Sequence, residues 1–258
     1  MAYMQEDQPV KPANILNIVA INQGKRAQTS STPVAKPLTP EEVKQLMAEG
    51  YAVIDARSSA EFGAGHIATA YNVQMSSSEF EQRVGWVVPD NTPLILVTKT
   101  KAEAQQCIYN MAFIGLDQFV AGYLAGGMEG WMEAGEPVEV TPQIDVHTLQ
   151  HKLSANGLQV LDVREEDEWD EGHIQGAHWM RYTAMAPQLD IPAQLDKLPF
   201  ALEQPIAVTC ATGKRSSTAI SLMRRYGFRH LYNVTGGMEA WEKAGFAMVD
   251  VQGNLCNI

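Results

Sequence analysis

The chain has 258 residues, 45% of them hydrophobic, enough to bury a sizeable core and, at roughly 100–200 residues per domain, to form two domains. A formal net charge of -11 would repel phosphate backbones and anionic lipid heads, which argues against nucleic acid and membrane surfaces as partners and requires any anionic substrate to meet a local positive site. Three scattered cysteines, no run of about 18 apolar residues and no basic-then-apolar leader together predict a cytoplasmic protein with no disulfide framework, no metal and no cofactor.

Residues 1–37 read as an N-terminal segment whose last part, 25–37, is a linker rich in Ser, Thr, Ala and Pro. Thr39-Pro40-Glu41-Glu42 is a capping signature before a short helix at 43–47. A strand follows at 52–55. Residues 93–97 form a continuous apolar run, as a strand buried on both faces requires, and a helical stretch over 102–113 ends near Gly115. Beyond Val140-Thr141-Pro142 the succession returns: Asp145 caps a helix at 146–150, strands are expected at 158–162 and 205–209, and a helix over 216–226 ends near Gly227. Alternating strands and helices predict a parallel sheet covered by helices, an α/β fold. Residues 252–258 read as a frayed tail.

The recurrence is an internal repeat. Asp55-Ala56-Arg57, Glu61-Phe62 and Gly65-His66-Ile67 match Asp162-Val163-Arg164, Glu168-Trp169 and Gly172-His173-Ile174 at an offset of 107. Gly126-Gly127-Met128 with Trp131 and Ala134-Gly135 matches Gly236-Gly237-Met238 with Trp241 and Ala244-Gly245 at 110. Order and spacing are kept together, which sets two domains, 38–140 and 143–251.

With these motifs each copy resembles a rhodanese homology domain, and the resemblance covers about residues 38–251. It implies two α/β domains, each a central parallel sheet flanked by helices, with the active-site loop at a strand's carboxyl end, where crevices of open α/β sheets form. It also implies a sulfurtransferase that moves sulfane sulfur from thiosulfate or glutathione persulfide to a thiol, sulfite or cyanide. Residues 3–12 and 18–24 are similar to the end of the metallo-β-lactamase-like domain in persulfide dioxygenase–rhodanese fusions, where two repeats follow and the first is usually inactive. That similarity implies coupling to a persulfide dioxygenase, as the carboxyl half of such a fusion or as a free-standing relative. The metal-binding His-x-His-x-Asp-His motif does not occur in this sequence.

Between the strand at 205–209 and its helix lies Cys210-Ala211-Thr212-Gly213-Lys214-Arg215. Attack on a sulfane sulfur needs a thiolate, whereas a free cysteine of pKa about 8.5 is mostly protonated at neutral pH. A following helix presents unpaired N–H groups and a partial positive charge, Gly213 permits the positive φ of a tight anion-binding turn, and Lys214 and Arg215 add formal charge. Cys210 and Arg215 are therefore the candidate catalytic residues, with Ala211, Thr212, Gly213, Lys214 and Ser216 forming a persulfide-binding loop. Aligned from Pro93 against Pro205, the first copy sets Thr98 opposite Cys210, Lys101 opposite Gly213 and Glu103 opposite Arg215, and is expected to be silent.

The same loop serves two further readings, a sulfur-relay or persulfide-sensing module acting on a protein partner, and a rhodanese-like phosphatase. The latter resembles Cys-x5-Arg, whereas Cys210 and Arg215 stand in Cys-x4-Arg, a smaller ring suited to sulfur. Asp162 and Arg164 either support the loop or are purely structural, because Asp55 and Arg57 repeat them in the silent copy. By the same reasoning His66 and His173 are structural, Trp131 and Trp241 are core anchors, and the acidic run at 165–171 is a solvated face. Cys107 reads as a core residue and Cys256 as an incidental exposed thiol.

Overall fold

The computed structural model describes residues 15–25, 33–89, 91–155, 158–185 and 195–256. Residues 3–12 of the N-terminal similarity and 26–32 of the linker lie outside them; residues 18–24 fall on and just after helix α1 (Ile15–Asn22). The first repeat runs β1 (Pro37–Leu38), α2 (Pro40–Ala48), β2 (Ala52–Asp55), α3 (Ser59–Ala64), β3 (Tyr71–Asn72), α4 (Phe80–Val87), β4 (Leu94–Val97), α5 (Lys101–Ala112), β5 (Val120–Leu124) and α6 (Gly127–Glu133). The second runs β6 (Gln143–Ile144), α7 (Val146–Ser154), β7 (Gln159–Asp162), α8 (Glu166–Glu171), β8 (His178–Trp179), β9 (Ile206–Thr209), α9 (Lys214–Arg225), β10 (Leu231–Val234) and α10 (Gly237–Lys243). Two five-stranded parallel sheets result, ordered β1-β5-β4-β2-β3 and β6-β10-β9-β7-β8.

Local signals and burial explain these elements. At α2 the Thr39 hydroxyl accepts the Glu42 N–H at 3.2 Å while the Glu42 carboxylate accepts the Thr39 N–H at 2.8 Å, a reciprocal cap of two orphan donors. Strands β4 and β9 are buried at every position. Alternate residues then serve opposite layers, as the two-residue period of a strand dictates. Ile54, Leu94 and Leu96 join Leu161, Ile206 and Val208 in one apolar cluster shared by both repeats. Val53, Ile95 and Val97 instead pack with Trp131, and Val160 and Ala207 with Trp241, in one outer cluster per repeat. Each indole also donates to a backbone carbonyl, Pro137 at 2.9 Å and Ala247 at 3.1 Å.

The repeats meet chiefly where α9 lies against β3. Ser217 Oγ donates to Asn72 Oδ1 (2.6 Å), Thr218 Oγ1 donates to the Asn72 carbonyl (2.7 Å), and the Asn72 N–H donates to Ser221 Oγ (3.3 Å). Farther along, Arg225 donates to the Thr69 carbonyl at 2.6 Å and lies 4.5 Å from the centre of the Tyr71 ring.

Three expectations are corrected. Helix α9 starts at Lys214 rather than 216, because Gly213 at φ 91° turns the chain into the helix directly after the loop. The linker ends earlier than Pro37: Ala35 is buried and donates to Gln105, and Pro37 pairs with Tyr123 in the sheet. The chain after 251 is not frayed through Cys256, since the Asp250 carboxylate accepts the Gln252 and Asn254 N–H groups (2.9 and 2.8 Å) and turns it back, so that Cys256 N–H reaches the Met248 carbonyl. Among the described residues no helix is long and apolar enough to cross a membrane.

Trp241 is 2% exposed at the centre of the second outer cluster. Trp241→Ala should lower the unfolding free energy by about 3–5 kcal/mol, read as an earlier urea midpoint by circular dichroism.

Candidate active site

Cys210 follows the last residue of β9, the central strand of its sheet, and Gly213 caps α9, so the loop spans from a strand's carboxyl end to a helix N-terminus. The Gly213 N–H donates to Cys210 Sγ at 3.1 Å, and Sγ lies 3.5 Å from Ser216 Oγ. Ser216 gives its own proton to Asn233 Oδ1 at 2.6 Å, and the Asn233 amide returns to the Gly213 carbonyl at 3.2 Å. The sulfur thus sits beside the unpaired N–H groups of the first turn of α9, where a negative charge gains about 0.3–1 kcal/mol and up to ~2 in a partly buried site. Cys210 itself is 1% exposed.

Thr212, Lys214 and Arg215 of that loop line a crevice of about 650 Å³ between the repeats. The second repeat adds Glu165, Arg181 and Tyr182, and the first adds Glu79, Gln82, Arg83 and Trp86 from α4 and its approach. Arg215 forms a two-pronged pair with Glu168. Burial works against the guanidinium's charge, but the Glu168 hydrogen bonds and the nearby Cys210 outweigh it and raise the Arg215 pKa. Burial also opposes ionisation of Glu168, yet the Arg215 hydrogen bond brings its pKa below the ordinary value, so the pair is intact at neutral pH. Lys214 makes no ion pair among the described residues.

The first repeat fills the same place differently. Thr98 is buried with its hydroxyl donating to the Thr100 carbonyl, and α5 begins after three loop residues where α9 begins after four. Glu103, opposite Arg215, accepts the Lys99 N–H at 2.8 Å, so a carboxylate of the chain occupies loop donors. Lys99 in turn pairs with Glu61 at 2.8 Å.

Of the remaining predicted residues, Asp162 and Arg164 form a buried pair, Nη2 to Oδ2 2.7 Å, with Arg164 also donating to the Gly172 carbonyl. Arg164 lies with Ala211 and Glu168 on a second cavity of about 270 Å³, which brings it beside the loop. His66 and His173 stack on Phe62 and Trp169, each with Nδ1 at the carbonyl of that residue, and burial pushes His66 down to about 4. Cys107 is fully buried, its thiol pushed up to about 12 by burial and then by Glu103. Cys256 is half-buried with Sγ 3.7 Å from the Glu171 carbonyl.

Two features escaped the sequence reading. The acidic run is not wholly a solvated face, because Glu165 and Glu168 line the crevice and burial raises the Glu165 pKa. The signal was present in the repeat, where Glu61 and Glu168 occupy matched positions and each grips a cation of its own loop. The Gly-Gly turn also does more than seat a tryptophan. Met238 and Glu239 N–H groups bind the Cys210 and Ala211 carbonyls at 2.8 and 3.0 Å, and a Cβ on Gly237 would lie 2.6 Å from the Ala211 carbonyl group. Gly237→Ala should therefore displace the loop and cost more than about 2 kcal/mol, read as a lower melting temperature with slower alkylation of Cys210.

Comparison with known proteins agrees with this architecture. The rhodanese-like domain family matches at residues 39–134 and again at 145–244. The thiosulfate sulfurtransferase GlpE of Shewanella oneidensis is 28% identical over 101 residues, 39% of this chain and 92% of that protein. YrkF of Bacillus subtilis, named a candidate sulfur carrier, is 28% identical over 114 residues, 44% of this chain and 57% of that protein. A solved thiosulfate sulfurtransferase from Pseudomonas aeruginosa is 20% identical with a TM-score of 0.36, covering 86% of this chain and 45% of that one. With two matched copies that take up most of its length, the chain belongs to the rhodanese-like domain family.

Proposed function

We propose that the protein is a sulfurtransferase in which the second repeat reacts through Cys210 and the first is catalytically silent. The observation that carries this reading is the Gly213 N–H donating to Cys210 Sγ at the start of α9, beside Lys214 and Arg215. The first repeat has Thr98 and Glu103 at the matched places.

In the first half reaction the Cys210 thiolate attacks the outer sulfur of thiosulfate. The new S–S bond leaves Cys210 as Cys–S–S⁻, and the cleaved S–S bond releases sulfite with its electron pair. With an organic persulfide such as glutathione persulfide the leaving group is the thiolate. The terminal sulfur then passes to a thiol, sulfite or cyanide, which regenerates the Cys210 thiolate, a double displacement with ping-pong kinetics. The loop N–H groups stabilise negative charge in both half reactions, and Arg215, held by Glu168, supplies fixed positive charge. Arg164, tied to Asp162 and beside Ala211, supports the loop. The large crevice and the N-terminal similarity to dioxygenase fusions support glutathione persulfide as donor and coupling to a persulfide dioxygenase, in a reducing cytoplasmic compartment.

A sulfur-relay role toward a protein partner is the second reading, favoured by the 1% exposure of Cys210 and by the sulfur-carrier name given to the Bacillus relative. The two separate on one experiment. Native protein incubated with donor should gain the mass of one sulfur at Cys210. Thiosulfate with cyanide, or glutathione persulfide with sulfite, should then turn over, with Cys210→Ser lowering the rate by at least about a thousandfold and Cys256→Ser changing it less than about twofold. Turnover that survives Cys210→Ser overturns the reading; loading without turnover favours the relay.

The crevice adds a second expectation. Trp86, from the first repeat, stands on a wall that a small inorganic anion has no need to touch. Trp86→Ala should raise the KM for glutathione persulfide about three- to tenfold and leave that for thiosulfate within about twofold in steady-state assays.

A further inference from the structure

Asn72 ends β3 of the first repeat and is fully buried. Its Nδ2 donates to the Asp55 and Arg57 carbonyls at 3.0 and 3.1 Å, which orients the amide so that Oδ1 accepts the Ser217 hydroxyl at 2.6 Å. Its backbone carbonyl and N–H engage Thr218 and Ser221. Ser217 and Thr218 directly follow Ser216, whose Oγ touches Cys210 Sγ and binds Asn233. The first turn of α9 is therefore held between Asn233, from its own sheet, and Asn72, from the other repeat.

The repeat supplies the control. Trp179 pairs with Asp162 in the second sheet as Asn72 pairs with Asp55 in the first. Trp179 Nε1 donates to the Arg164 carbonyl at 3.0 Å, the counterpart of the Asn72 bond to Arg57, but an indole has no acceptor to offer a neighbouring helix. Helix α5 likewise carries Ala104, Gln105, Gln106 and Tyr109 where α9 carries Ser216, Ser217, Thr218 and Ser221. Asn72 thus offers an amide acceptor where its counterpart Trp179 offers none, and the run of serine and threonine hydroxyls that meets it on α9 is replaced on α5 by Ala104, Gln105, Gln106 and Tyr109.

We propose that Asn72, in the silent repeat, is a positioning residue for sulfur transfer: through Ser217 it fixes the first turn of α9 and hence the N–H groups that face the Cys210 sulfur. The proposal rests on the sulfurtransferase reading above. It gives the silent repeat a role in the chemistry besides forming a wall of the crevice. A helix N-terminus stabilises charge only over its first turn, so a small displacement of that turn weakens both the thiolate and the persulfide without altering the donor-binding wall.

The full-length protein and its Ser217→Ala, Ser217→Thr and Asn72→Ala variants are compared in two measurements. One is the second-order rate of iodoacetamide alkylation at Cys210, followed by peptide mass spectrometry. The other is rapid-mixing sulfur loading from thiosulfate, resolved into a maximal rate and a half-saturating concentration. Ser217→Ala and Asn72→Ala should each slow alkylation and maximal loading about three- to tenfold, with half-saturation within about twofold, and Ser217→Thr should restore native rates within about twofold. Circular dichroism checks folding; if Asn72→Ala does not fold, the Ser217 pair carries the test. Native rates in Ser217→Ala, or a threonine variant as slow as the alanine one, would overturn the proposal. Because alkylation needs no sulfur donor, native protein that alkylates but never loads sulfur would refute the sulfurtransferase reading and leave the Asn72 coupling measurable.

Discussion

The structure depends on how one polar helix face is buried. Ser216, Ser217, Thr218 and Ser221 are all at most 2% exposed on α9, and each hydroxyl left without a partner there would cost about 1–3 kcal/mol. Partners come from Asn233 on one side and from Asn72 of the other repeat. By comparison the Arg224–Glu139 pair that also joins the repeats is a partly exposed contact of about 0–1 kcal/mol. The buried hydroxyl bonds, not the surface charges, therefore set the register of one repeat on the other.

That constraint reaches the loop in a few bonds. With the first turn of α9 fixed, Gly213 can place its N–H on the sulfur, and the N-terminus of α10 holds the Cys210 and Ala211 carbonyls from the opposite side. Gly237 permits this close approach because any Cβ would collide with the Ala211 carbonyl group. The loop is rigid through its backbone contacts, while the charged side chains of Lys214 and Arg215 remain on the crevice. In the proposed sulfur transfer such rigidity matters, since donors already aimed at the sulfur need not reorganise as charge moves.

The two repeats also share one frame while their loops differ. The Asp-x-Arg pair, the stacked histidine and the indole anchor persist in both, because each satisfies buried polar groups or fills the core. The loop and helix start differ, with Glu103 bringing a carboxylate to loop donors that the second repeat leaves to the sulfur, and so do the matched strand ends, Asn72 in one repeat and Trp179 in the other.

By itself the sequence determined the repeat, the parallel α/β sheets and the loop from Cys210 to Arg215. Each rests on local patterning: capping residues, apolar runs at strand length, and motifs kept at constant offsets. The start of α9, the turn after Asp250 and the early end of the linker were missed because one glycine's φ, one Asx turn and one short edge strand decide them. The partnership of Glu168 with Arg215, the approach of Gly237 to Ala211 and the bond from Asn72 to Ser217 span 47, 26 and 145 residues. The helix and strand periods of a chain do not name such partners, and a matched position such as Glu61 and Glu168 shows that a residue recurs without showing what it binds. Only the tertiary structure decided them, because a hydrogen bond or ion pair between distant residues exists only once both sheets and their shared core have brought the two side chains within bonding distance.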